Sequence, residues 1–218
     1  MSVAQPAAAQ TFIDAERDGL VALASAPPAD NSLAGTADLE AVFIVEALRT
    51  PELAREAALD GDMPPLDWAR RALGPGYDPA RQPAAFALFE AVRADMTRTV
   101  DVIKARGPQR ARPHQRDPRV RPSLSIEGHG TNSWPSGRAA ATRVWADVLA
   151  DLFPERANSL RAAASRSAQL RVIGGVHYPT DLIAGFRLAD VFLERLHANP
   201  LYQCRLAAAR EGRVGSNC

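Results

Sequence analysis

Lysine is all but missing from this chain: of its 26 basic residues, Lys104 is the single lysine and the rest are arginines. A GC-rich coding bias accounts for the arginines as a class, so the one surviving lysine stands out. A basic excess is missing too. The net charge of +1 leaves no electrostatic footprint for a nucleic-acid partner or an acidic membrane surface. No run of about 18 apolar residues occurs, so no membrane-spanning helix is expected. The opening stretch MSVAQPAAAQTF has neither the basic n-region nor the apolar h-region of a secretory signal, although its alanine-rich character fits the stub left when such a segment is removed. Only two cysteines occur, Cys204 and Cys218, which suits either a local clip in an oxidising compartment or two unpaired thiols. Sustained strand patterning is absent, and so is any internal repeat.

What is present is helical. With 46% hydrophobic and 23% charged residues over 218 positions, the chain has enough apolar surface for one globular domain, or at most two small ones. Residues 1–36 are rich in Ala, Pro, Ser and Asp and read as an extended lead-in with one short helix. A helical domain is expected over 37–200, followed by a tail over 201–218. DLEAVFIVEALRT carries Leu39, Val42, Phe43, Val45 and Leu48 at helical spacing behind an Asp. PELAREAAL and PLDWARRAL each open on proline, and the second is closed by Gly74-Pro75-Gly76. The clearest amphipathic stretch follows Pro83, with Phe86, Phe89, Val92, Met96, Val100 and Ile103 on one face up to Gly107-Pro108. Residues 109–133 lack a period and read as a long loop, a kind that in compact domains is usually functional or disordered. Three more helices are expected: one after Pro135 ending at Pro154, an Ala- and Ser-rich one from about Glu155 to Arg171, and one from Pro179 to Pro200. The fold class is all-α.

Three clusters at helix ends carry the chemistry: Lys104 with Arg112-Pro113; Ser136-Gly137-Arg138; and Arg171 with His177 and Asp181. Together they supply fixed cations, a helix N-terminus with free N–H groups, and a histidine with a carboxylate four residues on. These are the parts for phosphoryl transfer. Guanidinium forks and backbone N–H groups stabilise the charge on the equatorial oxygens. A neutral imidazole attacks phosphorus in line, and a carboxylate on its other nitrogen fixes the tautomer. Each residue alone also has a plainer reading. Arg112 and Arg171 suit solvated charges, Ser136 and Asp181 suit helix caps, His177 suits a structural or surface histidine, and His197 suits a helix C-terminus. His114 and His129 sit in the long loop.

LRVIGGVHYPTDLIAG resembles the third signature of the type 2 phosphatidic acid phosphatase and vanadium haloperoxidase superfamily: Arg, five residues, His, three residues, Asp. WPSGR resembles the second, Pro-Ser-Gly-His, and Lys104 with Arg112-Pro113 resembles the first. Within the superfamily, the soluble bacterial class A acid phosphatases are most similar, from about Asp38 onward. The resemblance implies a single-domain helical bundle and a phosphomonoesterase that uses no metal or cofactor, usually periplasmic or secreted and often a homo-oligomer. It implies a small phosphorylated substrate, with phosphate or vanadate as occupants of the site. It implies His177 as a nucleophile that forms phosphohistidine and Asp181 as its orienting acid. Lys104, Arg112, Arg171, Ser136 and the backbone of Gly137 would form the phosphate cradle.

Two departures qualify this. Seven residues, ARGPQRA, separate Lys104 from Arg112 where the family has six, so the chain must bulge for both charges to converge, or Arg106 or Arg110 takes one place. Arg138 stands where the family has the histidine that protonates the leaving oxygen, and arginine cannot act as a general acid. General acid help is worth about 10²- to 10⁴-fold. Either Arg138 stabilises the departing anion by charge, or His114 or His129 supplies the proton. The alternatives are a catalytically impaired phosphate- or oxyanion-binding homologue and, as a minor reading, a vanadate-dependent haloperoxidase.

Overall fold

Six of the long and short helices begin on a proline, which fixes φ at a position where an N–H would have no partner anyway. In the computed structural model, which describes residues 11–15, 18–23, 25–125, 130–213 and 218, the prolines at positions 51, 65, 83, 113, 179 and 200 each open a helix. In chain order the described helices are α1 Leu33–Leu48, α2 Pro51–Gly61, α3 Pro65–Leu73, α4 Pro83–Arg106, α5 Pro113–Arg116, α6 Gly137–Leu152, α7 Ala157–Ile173, α8 Pro179–Ala198 and α9 Pro200–Arg210. Two short 3-10 turns, Val21–Leu23 and Pro154–Arg156, accompany them. Among the described residues the only extended pairing is one antiparallel bridge between Ala111 and Asn132. The all-α, single-domain expectation holds. No described helix is long and apolar enough to cross a membrane.

The central element is α6, which is buried on most of its circumference through Ala139, Ala140, Thr142, Val144, Trp145, Ala146, Val148 and Leu149. On one side Val144 and Val148 join Met96 of α4, Phe192 and Leu196 of α8, and Tyr202 and Leu206 of α9. On another, Trp145 packs edge-on against Trp68 of α3 and Phe89 of α4. A third cluster joins α1, α7 and α8 through Val42, Ala168, Val172, Tyr178 and Leu182. Burying a Leu or Phe side chain in such clusters contributes about 1.5–3 kcal/mol, which fixes the ends of α4, α6, α7 and α8 relative to one another.

The structure redraws several sequence boundaries. The helix expected behind Asp38 starts earlier, at Leu33, where Ser32 Oγ accepts the Gly35 N–H at 3.0 Å. Asp38 instead lies on the buried face of α1 with Gly35 and Val42; a carboxylate there interrupts the apolar stripe and disguises the first turn. The long loop contains the short helix α5. Within the stretch read as a tail, α9 packs Tyr202, Leu206 and Ala209 into the core. Cys204 and Cys218 are paired in a disulfide with Cα atoms 5.9 Å apart. The lead-in is anchored as well, because the N–H groups of Phe12 and Ile13 donate to the buried Asp95 Oδ2 at 2.7 and 3.0 Å.

Candidate active site

The C-terminal end of α7 and the N-terminal ends of α6 and α8 meet at one place. The chain reverses between α7 and α8 at Gly174-Gly175. Gly175 has φ of +75°, a left-handed conformation that favours glycine, and the Val176 N–H returns to the Arg171 carbonyl at 3.1 Å. The turn carries His177 back past Arg171 and into the start of α8. A second approach is equally tight. A Cβ on Gly185 of α8 would lie 2.5 Å from the Ser136 carbonyl oxygen, and the Ser136 N–H donates to the Asp181 carbonyl at 3.0 Å. The PSG turn and the HYPTD turn are therefore fastened together by backbone contact.

His177 is buried with both ring nitrogens engaged. Its Nδ1 lies 3.1 Å from Asp181 Oδ2, and its Nε2 lies 3.3 Å from Arg112 Nη1. Arginine only donates, so Nε2 is the unprotonated nitrogen and Nδ1 carries the proton toward the carboxylate. Burial, aided by the charges of Arg112 and Arg171, pushes the ring pKa down to about 3 against the pull of Asp181. The imidazole is thus neutral at ordinary pH. Asp181 Oδ2 also accepts the Tyr178 N–H at 3.0 Å, so the residue caps α8 while it orients the ring. Burial works against ionisation of Asp181 but is outweighed by its bonds to His177, the Tyr178 N–H and Arg110, and its pKa lies below the usual carboxylate value.

The cations surround this pair. Arg112 donates Nε to the Gly130 carbonyl and Nη1 to the Val176 carbonyl at 2.8 and 2.9 Å. Lys104, at the end of α4, reaches the same locality in spite of the longer first motif. Its Nζ donates to the Asn132 carbonyl at 2.8 Å, and its Cε lies 3.7 Å from where a Cβ on Gly137 would stand. Burial first, then the neighbouring Arg112, pushes the Lys104 pKa down to about 8. Arg171 is 4% exposed and its Nε is buried without a hydrogen-bond partner. Burial and the charges of Arg138 and Arg112 push its pKa down to about 10. Leu124 fills the space beside it, where a side chain on Gly61 or Gly174 would otherwise lie. Ser136 caps α6 by accepting the Ala139 N–H at 3.3 Å, which leaves the N–H groups of Gly137 and Arg138 without intrahelical acceptors.

Arg138 points toward α2. Its Nη1 donates to the Met63 carbonyl at 3.1 Å, its Nη2 donates to the Asp60 carbonyl, and Nη2 lies 3.5 Å from Asp60 Oδ2. The plain N-cap reading of Ser136 and cap reading of Asp181 therefore hold alongside the site geometry, whereas Arg112 and Arg171 are buried and not solvated. His197 lies elsewhere, 2.9 Å from Asp151. His114 is partly exposed next to Arg112, its Nδ1 buried without a partner. His129 lies outside the described residues.

Sequence reasoning missed Asp60 and Asp38. Asp60, buried near the end of α2, accepts from Ser167 Oγ at 2.6 Å and faces Arg138. Asp38 pairs with Arg110 at 2.8 Å. Neither carries a local signal beyond an acidic residue on an otherwise apolar helix face. Among the described residues, no three His, Cys, Asp or Glu side chains are grouped to hold a metal ion.

No family model matches this chain. Over 79 residues it is 39% identical to the non-specific acid phosphatases of Salmonella typhi and Salmonella typhimurium, and 33% identical to that of Providencia stuartii. The matched stretch is 36% of this chain and 32% of each relative, so the chain spans about a third of the length of the curated relatives it matches. The likeness is to bacterial non-specific acid phosphatases.

Proposed function

We propose that this chain hydrolyses phosphomonoesters through a phosphohistidine on His177. The observation that carries this reading is the buried Arg171 guanidinium: its Nε has no hydrogen-bond partner, no ion pair joins it to a carboxylate among the described residues, and the charges of Arg138 and Arg112 act on it more strongly than those of Asp60 and Asp62. A buried cation without a directly bonded anion is disfavoured, and a phosphate dianion supplies such a partner. Lys104, Arg112, Arg171 and the free N–H groups of Gly137 and Arg138 form the cradle. His177 Nε2 attacks phosphorus, the ester P–O bond breaks, and the leaving oxygen departs with the bonding pair. Asp181 stabilises the imidazolium, and water then releases phosphate. The charges come from the chain's own residues, with no metal or cofactor in the scheme.

Arg138 cannot protonate the leaving oxygen, and its two Nη groups are engaged by the carbonyls of Met63 and Asp60. The reading therefore favours substrates with good leaving groups, such as aryl or acyl phosphates, over alkyl phosphates. The Cys204–Cys218 disulfide supports an oxidising, periplasmic or secreted location. The test compares aryl and alkyl phosphate hydrolysis by the wild type and His177→Ala. Turnover of the aryl ester that is lost in the variant supports the reading, and equal rates in the two proteins contradict it.

The engagement of Arg138 also favours a second reading: a phosphate- or oxyanion-binding protein without turnover. It predicts phosphate binding by calorimetry with no hydrolysis of any ester.

A further inference from the structure

Behind Asp181 lies a second tier of charge that the three signatures do not include. Arg110 Nη1 donates to Asp181 Oδ1 at 2.7 Å and to Thr180 Oγ1 at 2.9 Å, while Nη2 donates to Asp38 Oδ2 at 2.8 Å. Asp38 in turn accepts the Thr180 N–H at 3.1 Å and the Thr180 hydroxyl. All three charged side chains are at most 3% exposed. The guanidinium lies over the Tyr178 ring, with Cζ 3.9 Å from its centroid, and the Arg110 N–H is held by Asn132 Oδ1 at 3.0 Å. The chain leaves α4 at Gly107-Pro108, and from there Arg110 turns inward to Asp181 and Asp38 while Arg112 faces His177.

We propose that Arg110 and Asp38 are positioning residues for His177: they pin Asp181 so that Oδ2 meets Nδ1, and they set how much of the carboxylate's charge the ring receives. The inference rests on the nucleophilic role of His177. A carboxylate has two oxygens and one rotatable bond to its ring of partners. With Oδ1 held by a buried guanidinium, Oδ2 has no freedom to leave the imidazole. Arg110 alone would draw off negative charge that the imidazolium needs, and Asp38 returns it. The buried chain Asp38, Arg110, Asp181 and His177 thus alternates in sign once the ring is phosphorylated. The fork is specific to arginine, because a lysine has one nitrogen and cannot bridge two carboxylates in a fixed plane.

The test uses Arg110→Lys and Asp38→Asn in the full chain, with folding checked by circular dichroism. The first readout is the proton resonance of His177 Nδ1–H in the ligand-free protein. The second is the split between kcat and KM on an aryl phosphate. The proposal predicts that the resonance shifts and broadens in Arg110→Lys and that kcat falls about tenfold or more. KM stays within about twofold, since the phosphate cradle is untouched. Asp38→Asn, an isosteric change, moves both readouts in the same direction by less, and it carries the test if Arg110→Lys does not fold. A lowered melting temperature with unchanged resonance and kcat would show a structural role only and overturn the proposal. If the wild type itself shows no turnover, the phosphatase reading fails, and the resonance alone then decides whether Arg110 positions the ring.

Discussion

Arg112 Nη1 and His177 Nε2 stand 3.3 Å apart on the side of the imidazole that faces away from Asp181. A donor that never deprotonates thereby occupies the Nε2 lone pair, and the ring is kept neutral by burial, with a pKa pushed down to about 3. In an unfolded chain the ring protonates near its ordinary value of about 6.5. The folded state thus binds fewer protons than the unfolded state between those values, and His177 makes stability fall as pH drops from about 6.5 toward 3. Histidine-selective NMR should find His177 neutral, with the proton on Nδ1, from pH 7 to 4. A protonation midpoint near 6.5 would contradict this placement.

In the proposed cradle, Lys104 would give anion binding a pH dependence of its own. Its pKa in the free protein is pushed down to about 8, so the cradle loses a positive charge as pH rises through that value. A bound oxyanion favours the protonated amine, and affinity therefore falls above pH 8. Calorimetry with sulfate, which does not titrate in this range, should show this decline between about pH 7 and 9, below the value of about 10 to which Arg171 is pushed, and Lys104→Met should abolish it there. A pH-independent affinity in the wild type would place Lys104 outside the cradle.

Replacing Arg138 by histidine exchanges a strap for a proton donor. Arg138→His should raise alkyl phosphate hydrolysis relative to aryl phosphate by at least about tenfold, within the range of general acid help. It should also cost about 3 kcal/mol of stability, since Asp60 loses a buried partner. The two effects are read by ester panels and by denaturant titration. An unchanged alkyl-to-aryl ratio in a folded variant would show that position 138 does not face the leaving oxygen.

Gly185→Ala places a methyl group 2.5 Å from the Ser136 carbonyl, so α6 and α8 must separate. A loss of about 1–3 kcal/mol is expected from overpacking. Phosphate binding should weaken as well, because the N–H groups at the start of α6 move with Ser136. Calorimetry on the folded variant checks this, and wild-type affinity would mean that the crossing does not position the cradle.

The helices were legible because the sequence marks them locally: proline opens α2, α3, α4 and α8, and glycines end α3 and α7. The His177 and Asp181 pair was legible for a similar reason, since four residues of spacing at a helix start fix their proximity. What lay beyond reach is long-range choice of partner. Arg110 has Asp38 and Asp181 as partners 72 and 71 residues away, and Arg138 finds Asp60 78 residues back. In a chain with 24 other lysine and arginine residues, nothing local distinguishes these arginines from solvated ones. Asp38 reads as a helix cap until the start of α1 at Leu33 places it one turn inside.

The central claim is that His177 forms a covalent bond to phosphorus. Rapid quenching of the wild type after mixing with a phosphorus-labelled aryl phosphate should leave label on the protein that is stable to base and released by acid, at up to one phosphate per chain. Peptide mapping should place it on His177, and His177→Ala should carry none. Turnover without any such label, or label that persists in His177→Ala, would contradict the account.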